Sequence, residues 1–244
     1  MSAAPFLTSF TLIEPDRSVE DEYVGELGVV KHLRRFPVFP FDSPVTFVTG
    51  ENGVGKSTLV EAIAIAAGMN AEGGSKNFRF SNRASESVLH NRLKLTRAKN
   101  PPDTFFLRSE TQHTVATEYE ELGDVNYLDL HLMSHGESTM EIVRRRFGEG
   151  LYVLDEPESG LSPTRQMQLL AEMARLVDEG AQFIVATHSP ILLALPGARI
   201  LLIDDEGVRP VPWSTHPLVQ DTREYLADPK AALKELLNDV PSED

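Results

Sequence analysis

A mixed α/β fold is predicted for this chain: a mainly parallel sheet, antiparallel strands near the N-terminus and a small inserted subdomain. Three observations predict it. Short apolar runs of β-forming residues recur at 45–48, 104–108, 151–154, 183–186 and 200–203, and segments of helical periodicity separate most of them. Such alternation needs crossovers, so neighbouring strands run parallel and their carboxyl ends collect on one edge. That edge is polar: Asp155-Glu156 ends one run, Thr187-His188 ends another, and a glycine-rich loop follows the first.

The elements follow in order. Up to Pro40 the chain reads as short strands or a hairpin, with Arg34, Arg35, Phe36 and Phe39 just ahead of the 45–48 strand. Residues 57–67 have the apolar spacing of a helix. Between Ala71 and Lys99, seven basic residues (Lys76, Arg79, Arg83, Arg92, Lys94, Arg97, Lys99) stand against Glu72 and Glu86, inverting the balance of the whole chain. That stretch is either a solvated face or a dock for an anion. Phe78 and Phe80 alternate with Lys76 and Arg79, which suits one side of a small sheet or the stacking of bases. Residues 104–108 form a short strand ending in Arg108-Ser109-Glu110, and 137–146 a helix through Met140, Ile142 and Val143 that Gly148 stops. After the buried strand at 151–154, Pro163 opens a helix that runs through Leu169, Met173 and Leu176 to Gly180. Strands at 183–186 and 200–203 follow, then a short amphipathic helix at 230–237 and an acidic tail.

Composition narrows the class. At 244 residues the chain can bury a large core as one α/β domain. Cysteine is absent, which excludes disulfides and thiolate metal sites and suits a reducing cytoplasm. No apolar run reaches the length of a membrane span, so a soluble, cytoplasmic protein without direct membrane insertion is expected. A net charge of −14 disfavours indiscriminate adhesion to nucleic acid or anionic lipid.

Chemistry begins at Gly50-Glu51-Asn52-Gly53-Val54-Gly55-Lys56-Ser57-Thr58, which satisfies GxxxxGK[ST] between a strand and a helix. The glycines allow the backbone to turn its N–H groups toward phosphate oxygens, and the helix that follows offers its N-terminus to the same anion. Lys56 adds a point charge at the terminal phosphates, and the Ser57 hydroxyl suits Mg²⁺, which prefers oxygen ligands. A nucleoside triphosphate and Mg²⁺ are the expected ligands, in a P-loop NTPase fold.

Leu151-Tyr152-Val153-Leu154-Asp155-Glu156-Pro157 is the second element. The strand carries Asp155 to its carboxyl end, where it can hold the hydrated metal opposite Ser57. Glu156, one residue on, is suited to deprotonating the water that attacks the γ-phosphate. Mg²⁺ is needed there to reverse the sign of two carboxylates beside a polyphosphate. The third element is Phe183-Ile184-Val185-Ala186-Thr187-His188-Ser189-Pro190, whose imidazole can donate to the γ-phosphate or orient the water. A lone histidine after a strand is usually structural; its place on the strand after the acidic pair argues for function.

Taken together, these motifs resemble those of an ABC-type ATPase of the SMC/Rad50-like branch, among the small single-domain bacterial AAA-family ATPases. Met133-Ser134-His135-Gly136-Glu137-Ser138 resembles the signature motif of that family, with Ser134, Gly136 and Glu137 on its serine, second glycine and glutamine positions. Ser159-Gly160-Leu161-Ser162 resembles the loop after the acidic pair. Glu110 stands where the glutamine loop and its metal contact are expected, with Gln112 as a competitor. The resemblance covers residues 45–192. It implies ATP as cofactor, one ABC-type ATPase domain over 1–244 with about 71–135 as an inserted lobe leading to the signature, and an ATP-dependent homodimer. In that dimer ATP lies between the phosphate loop of one copy and Ser134 to Glu137 of the other. The free N–H groups opening the 134–138 helix suit that role, while Ser134 with Glu137 also reads as a plain capping box.

The sequence departs from the family pattern at His135, Glu137 and Ser162, which replace glycine, glutamine and aspartate. Adenine contact is open to Phe36 or Phe39, although core packing suits either ring better. Sustained heptads are absent, so the head has no long arms. Three functions fit. One is an ATPase whose dimer acts on DNA or a protein effector. Another is the motor of an ABC transporter, and the third is a nucleotide-gated scaffold with very slow hydrolysis.

Overall fold

The computed structural model describes residues 5–13, 25, 27–71, 73–75, 88–109, 133–204 and 207–239. Two sheets organise them. The smaller contains β1 (Leu7–Leu12), β2 (Val38–Pro40) and β5 (Leu93–Arg97), all antiparallel, with β1 in the middle. The larger contains β3 (Val45–Gly50), β4 (Gly74–Ser75), β6 (Thr104–Arg108), β7 (Leu151–Asp155), β8 (Gln182–Ala186), β9 (Arg199–Asp204) and β10 (Gly207–Pro210). Its order is β10-β9-β3-β8-β7-β6-β4, with the five central strands parallel and β4 and β10 antiparallel at the edges.

Parallel strands covered on both faces must be apolar on both, and every residue of β7 and β8 is buried. Successive side chains point to opposite faces. Val153 and Ile184 join Leu59, Val60 and Ile63 of helix α2 (Lys56–Ala66), on the face shared with α1 (Gly28–Arg35). Tyr152, Leu154, Phe183 and Val185 join Met140 and Val143 of α3 (His135–Arg146) and Leu169, Met173 and Leu176 of α4 (Pro163–Asp178). Each such side chain contributes about 1.5–3 kcal/mol by leaving water. The sheet is thereby held rigid between two helical layers, with its carboxyl edge open.

Polar clasps fix the ends. Arg146 donates to both carboxylate oxygens of Asp103 at 2.5 and 2.6 Å, and the Tyr152 hydroxyl reaches Asp103 Oδ2 at 3.2 Å. These bonds tie the end of α3 to the start of β6. Gln182 bridges the two sheets: its Oε1 accepts from the Leu7 N–H and its Nε2 donates to the Leu7 carbonyl, both at 2.9 Å.

Two elements differ from expectation. Where strands alone were expected before Pro40, residues 28–35 form α1, which buries Val29, Val30 and Leu33. It separates β1 from β2, which nonetheless pair through Phe10 and Phe39. The C-terminal region holds two helices, α5 (Pro217–Ala227) and α6 (Pro229–Asp239), instead of one. Within the 71–135 stretch, β5 and β6 are strands of the two sheets. Residues 76–87 and 110–132 lie outside the described residues, and Lys76, Phe78, Arg79, Phe80 and Arg83 with them.

Candidate functional site

Gly50 ends β3 and opens the glycine-rich loop. Its φ of 146° and that of Gly55, 97°, lie in the region that favours glycine. A Cβ on Gly50 would come within 2.3 Å of the Ile203 carbonyl oxygen, so the loop's first turn presses against β9. Lys56 is 5% exposed, and its Nζ donates to the carbonyls of Gly50 (3.0 Å) and Glu51 (2.8 Å). Burial holds this ammonium below its ordinary pKa, against the pull of Glu156, Asp155, Glu51 and Glu158. Ser57 and Thr58 sit in the first turn of α2, whose N-terminus has no side-chain cap. Its leading N–H groups are left to a ligand.

Asp155, the last residue of β7, is 6% exposed and stands in register with Ala186 of β8 and Arg108 of β6. Glu156 follows with φ 49°, the one non-glycine positive φ among the described residues. That conformation costs about 1–3 kcal/mol, and the surroundings enforce it. The Glu156 N–H donates to the Ala186 carbonyl at 3.0 Å, and Ser109 Oγ donates to the Glu156 carbonyl at 2.6 Å.

His188, two residues beyond β8, donates its backbone N–H to Glu158 Oε1 at 2.6 Å. Its Nε2 is enclosed, makes no hydrogen bond within the described residues and lies 3.7 Å from Glu156 Oε1. Burial lowers the ring's pKa, Lys56 lowers it further, and Glu156 and Glu51 oppose them, so the imidazole is neutral near pH 7. Burial also pushes the Glu158 carboxyl up.

Lys56, Asp155, Glu156 and His188 therefore meet at the carboxyl ends of β3, β7 and β8, three neighbours in the sheet. A polyphosphate fits this arrangement, because an uncapped helix N-terminus and an enclosed imidazole nitrogen both lack partners that an anionic oxygen would supply. Among the described residues no three His, Cys, Asp or Glu are grouped to hold a metal. The nearby oxygen donors, the Ser57 hydroxyl and Asp155 carboxylate, suit a cation that takes its other ligands from phosphate and water, as Mg²⁺ does.

Ser134 to Glu137 open α3. Glu137 Oε2 accepts the Ser134 N–H at 2.9 Å and its Oγ–H at 2.7 Å, completing a capping box. Those bonds, side chain first, hold the Glu137 carboxyl below the usual range. Gly136 is buried against the loop after β7, where an added Cβ would lie 2.5 Å from the Gly160 carbonyl oxygen. Glu110 and Gln112 lie outside the described residues.

Two aromatic expectations separate. Phe39 is core, stacked on Phe10 at 4.9 Å, whereas Phe36 is 61% exposed. Of the basic stretch, Arg92 is buried, and Lys99 pairs with Glu149 at 3.0 Å and caps the Phe6 ring. Neither faces an open surface as a free cation. Ser109, named above only as part of a strand end, braces Glu156 with its hydroxyl; the signal lies in register, since Arg108 pairs with Asp155.

Comparison with known proteins adds the family. An AAA domain model matches residues 28–148, and a second, described as "AAA domain, putative AbiEii toxin, Type IV TA system", matches 119–194. The ATP-binding export protein CcmA for cytochrome c biogenesis of a Chelativorans species is 30% identical over 171 residues, 65% of this chain and 84% of that protein. The ABC transporter ATP-binding/permease protein Rv1747 of Mycobacterium tuberculosis is 28% identical over 186 residues, and the match spans 21% of its length. Among solved structures, CbiO1 of Clostridium perfringens, part of the transporter complex CbiONQ, has the same fold at TM-score 0.51 and 14% identity, covering 95% of this chain and 99% of that one. The SMC head domain of Thermotoga maritima gives a TM-score of 0.46 at 16% identity. With the phosphate loop, acidic strand end and histidine in this order on one parallel sheet, the chain belongs to the ABC-type AAA ATPases, enzymes that bind ATP with Mg²⁺ and hydrolyse it.

Proposed function

We propose that this protein is a dimerising ATPase, one domain over 1–244, that works on a nucleic-acid or protein partner. The observation that carries the reading is the meeting of Lys56, Asp155, Glu156 and His188 at three adjacent strand ends. Gly50 to Thr58 cradle the phosphates through backbone N–H groups, and Lys56 supplies the fixed positive charge. Ser57 and Asp155, with Glu110, would hold Mg²⁺. Bound Mg²⁺ neutralises phosphate charge and polarises its oxygens. Glu156, whose backbone is clamped on both sides, takes a proton from the attacking water. His188 Nε2–H donates to a γ-phosphate oxygen.

Ser134, Gly136 and Glu137 of a second copy complete the site in this reading. Support comes from their place at a helix start where Ser134 and Glu137 are both exposed. Hydrolysis per subunit then depends on protein concentration. A second reading, the motor of a transporter, is favoured by the names of the relatives. No helix of the described residues is long and apolar enough to cross a membrane, so in that reading the spans lie outside the described residues.

The test is ATP hydrolysis measured across protein concentration, with and without DNA, for the wild type and Glu156→Gln. A rate per subunit that rises with concentration supports the shared site. A flat rate from a strictly monomeric protein removes it.

A further inference from the structure

We propose that His216 is a positioning residue that locks the phosphate loop from outside the ATPase motifs. This rests on the reading of Gly50 to Thr58 as the phosphate cradle.

His216 precedes α5 and is 2% exposed. Its Nε2 lies 2.8 Å from Thr49 Oγ1, and Thr49, 1% exposed, is the residue before Gly50. Thr49 Oγ1 also lies 3.0 Å from the Leu201 carbonyl, which can only accept. The single hydroxyl proton is therefore spent on Leu201. Thr49 must accept from His216, which puts the ring proton on Nε2 and leaves Nδ1 bare; Nδ1 is buried without a hydrogen bond among the described residues.

The chain of contacts ends at the cradle. Leu201 belongs to β9, whose Ile203 carbonyl already crowds the Gly50 α-carbon, and the Gly50 carbonyl holds Lys56 Nζ at 3.0 Å. His216 and β9 thus pin Thr49 from two sides, one residue ahead of the turn on which the loop N–H groups depend. The same ring borders a cleft of about 450 Å³ that reaches from Gly50 and Glu51 to Arg209 and Asp221. A buried donor to a neutral hydroxyl has a structural use in any protein. Here the hydroxyl adjoins the one turn whose geometry decides whether phosphate is gripped.

Two pairs of substitutions separate this role from general support. His216→Gln keeps a donor near Nε2, and His216→Phe removes it; Thr49→Ser keeps the hydroxyl, and Thr49→Val removes it. We measure ATP affinity with Mg²⁺ in a Glu156→Gln background, and amide hydrogen exchange of residues 49–58 in nucleotide-free protein. The expected result is a loss of affinity of about tenfold or more for Phe and Val, with near-wild-type values for Gln and Ser. Exchange over 49–58 quickens by a similar factor in the first two alone, while exchange over 151–155 stays at its wild-type rate. Combining Phe with Val adds little beyond either single change, since both sever one bond.

Equal affinities and equal 49–58 exchange across all four variants overturn the proposal. So does a Phe or Val variant whose exchange rises equally over 151–155. If His216→Phe fails to fold, the Thr49 pair decides alone. Absence of ATP binding by the Glu156→Gln parent overturns the cradle itself, a result distinct from either of these.

Discussion

His188 Nε2 lies 3.7 Å from Glu156 Oε1, too far for a hydrogen bond and close enough for one oxygen atom to touch both. The pair comes from β7 and β8, and the positive φ of Glu156 aims the backbone that carries one side of it. A single oxygen, of water or of phosphate, fits at hydrogen-bond distance from both groups.

Glu156→Gln removes the base and keeps the shape. Phosphate release is expected to fall by about 10²–10⁴-fold while ATP affinity, read by titration, stays close to wild type. A parallel collapse of affinity would assign Glu156 to binding instead of proton transfer.

Mg²⁺ dependence should pass through Asp155. Chelation by EDTA is expected to reduce hydrolysis to background, and Asp155→Asn to raise the Mg²⁺ concentration for half-maximal rate by about tenfold or more, since a neutral amide is a poorer ligand for a hard cation. Activity plotted against free Mg²⁺ checks it; superimposable curves would exclude Asp155 from the metal site.

Arg108 of β6 and Glu61 of α2 form an ion pair at 2.8 Å, their side chains 17% and 6% exposed. Removing one partner breaks this largely buried pair, so Glu61→Ala is expected to cost about 3–5 kcal/mol in urea unfolding. Replacing both by apolar residues of similar size should recover most of that loss. If the double variant is no more stable than the single, the pair is not the source.

Burial lowers the pKa of His32, His188 and His216 below the ordinary 6.5. On acidification the unfolded chain then takes up protons before the folded one does. Their contribution to stability is present above about pH 6.5 and is lost as pH falls through the lowered values. Glu158, raised by burial, binds its proton earlier in the folded state and works the other way. Urea midpoints are expected to decline from about pH 7 toward pH 5.5, less steeply in His216→Gln; identical slopes would remove His216 from the effect.

The central sheet was legible because both of its faces are buried, which turns each strand into a continuous apolar run such as Phe183 to Ala186. The phosphate loop, Asp155, Glu156 and His188 were legible because each motif is local in sequence. What escaped lacks such marks. Helix α1 spans eight residues behind Leu27, which provides no side-chain cap, and α5 buries only Val219. Thr49 and His216 stand 167 positions apart. Their meeting depends on the β9–β10 hairpin returning the chain to the loop, a property of topology that no window of sequence holds. Glu61 and Arg108 meet for the same reason.

The Gln182 side chain imitates a strand backbone toward Leu7, and Gln182 also begins β8, beyond whose far end His188 lies. Six residue steps, at about 3.3 Å each along a strand, separate the clasp from His188. The clasp therefore ties the small antiparallel sheet to the strand that leads to the histidine. Because β8 also pairs with β3, whose last residue opens the glycine-rich loop, the N-terminal strands, the histidine and that loop share one frame.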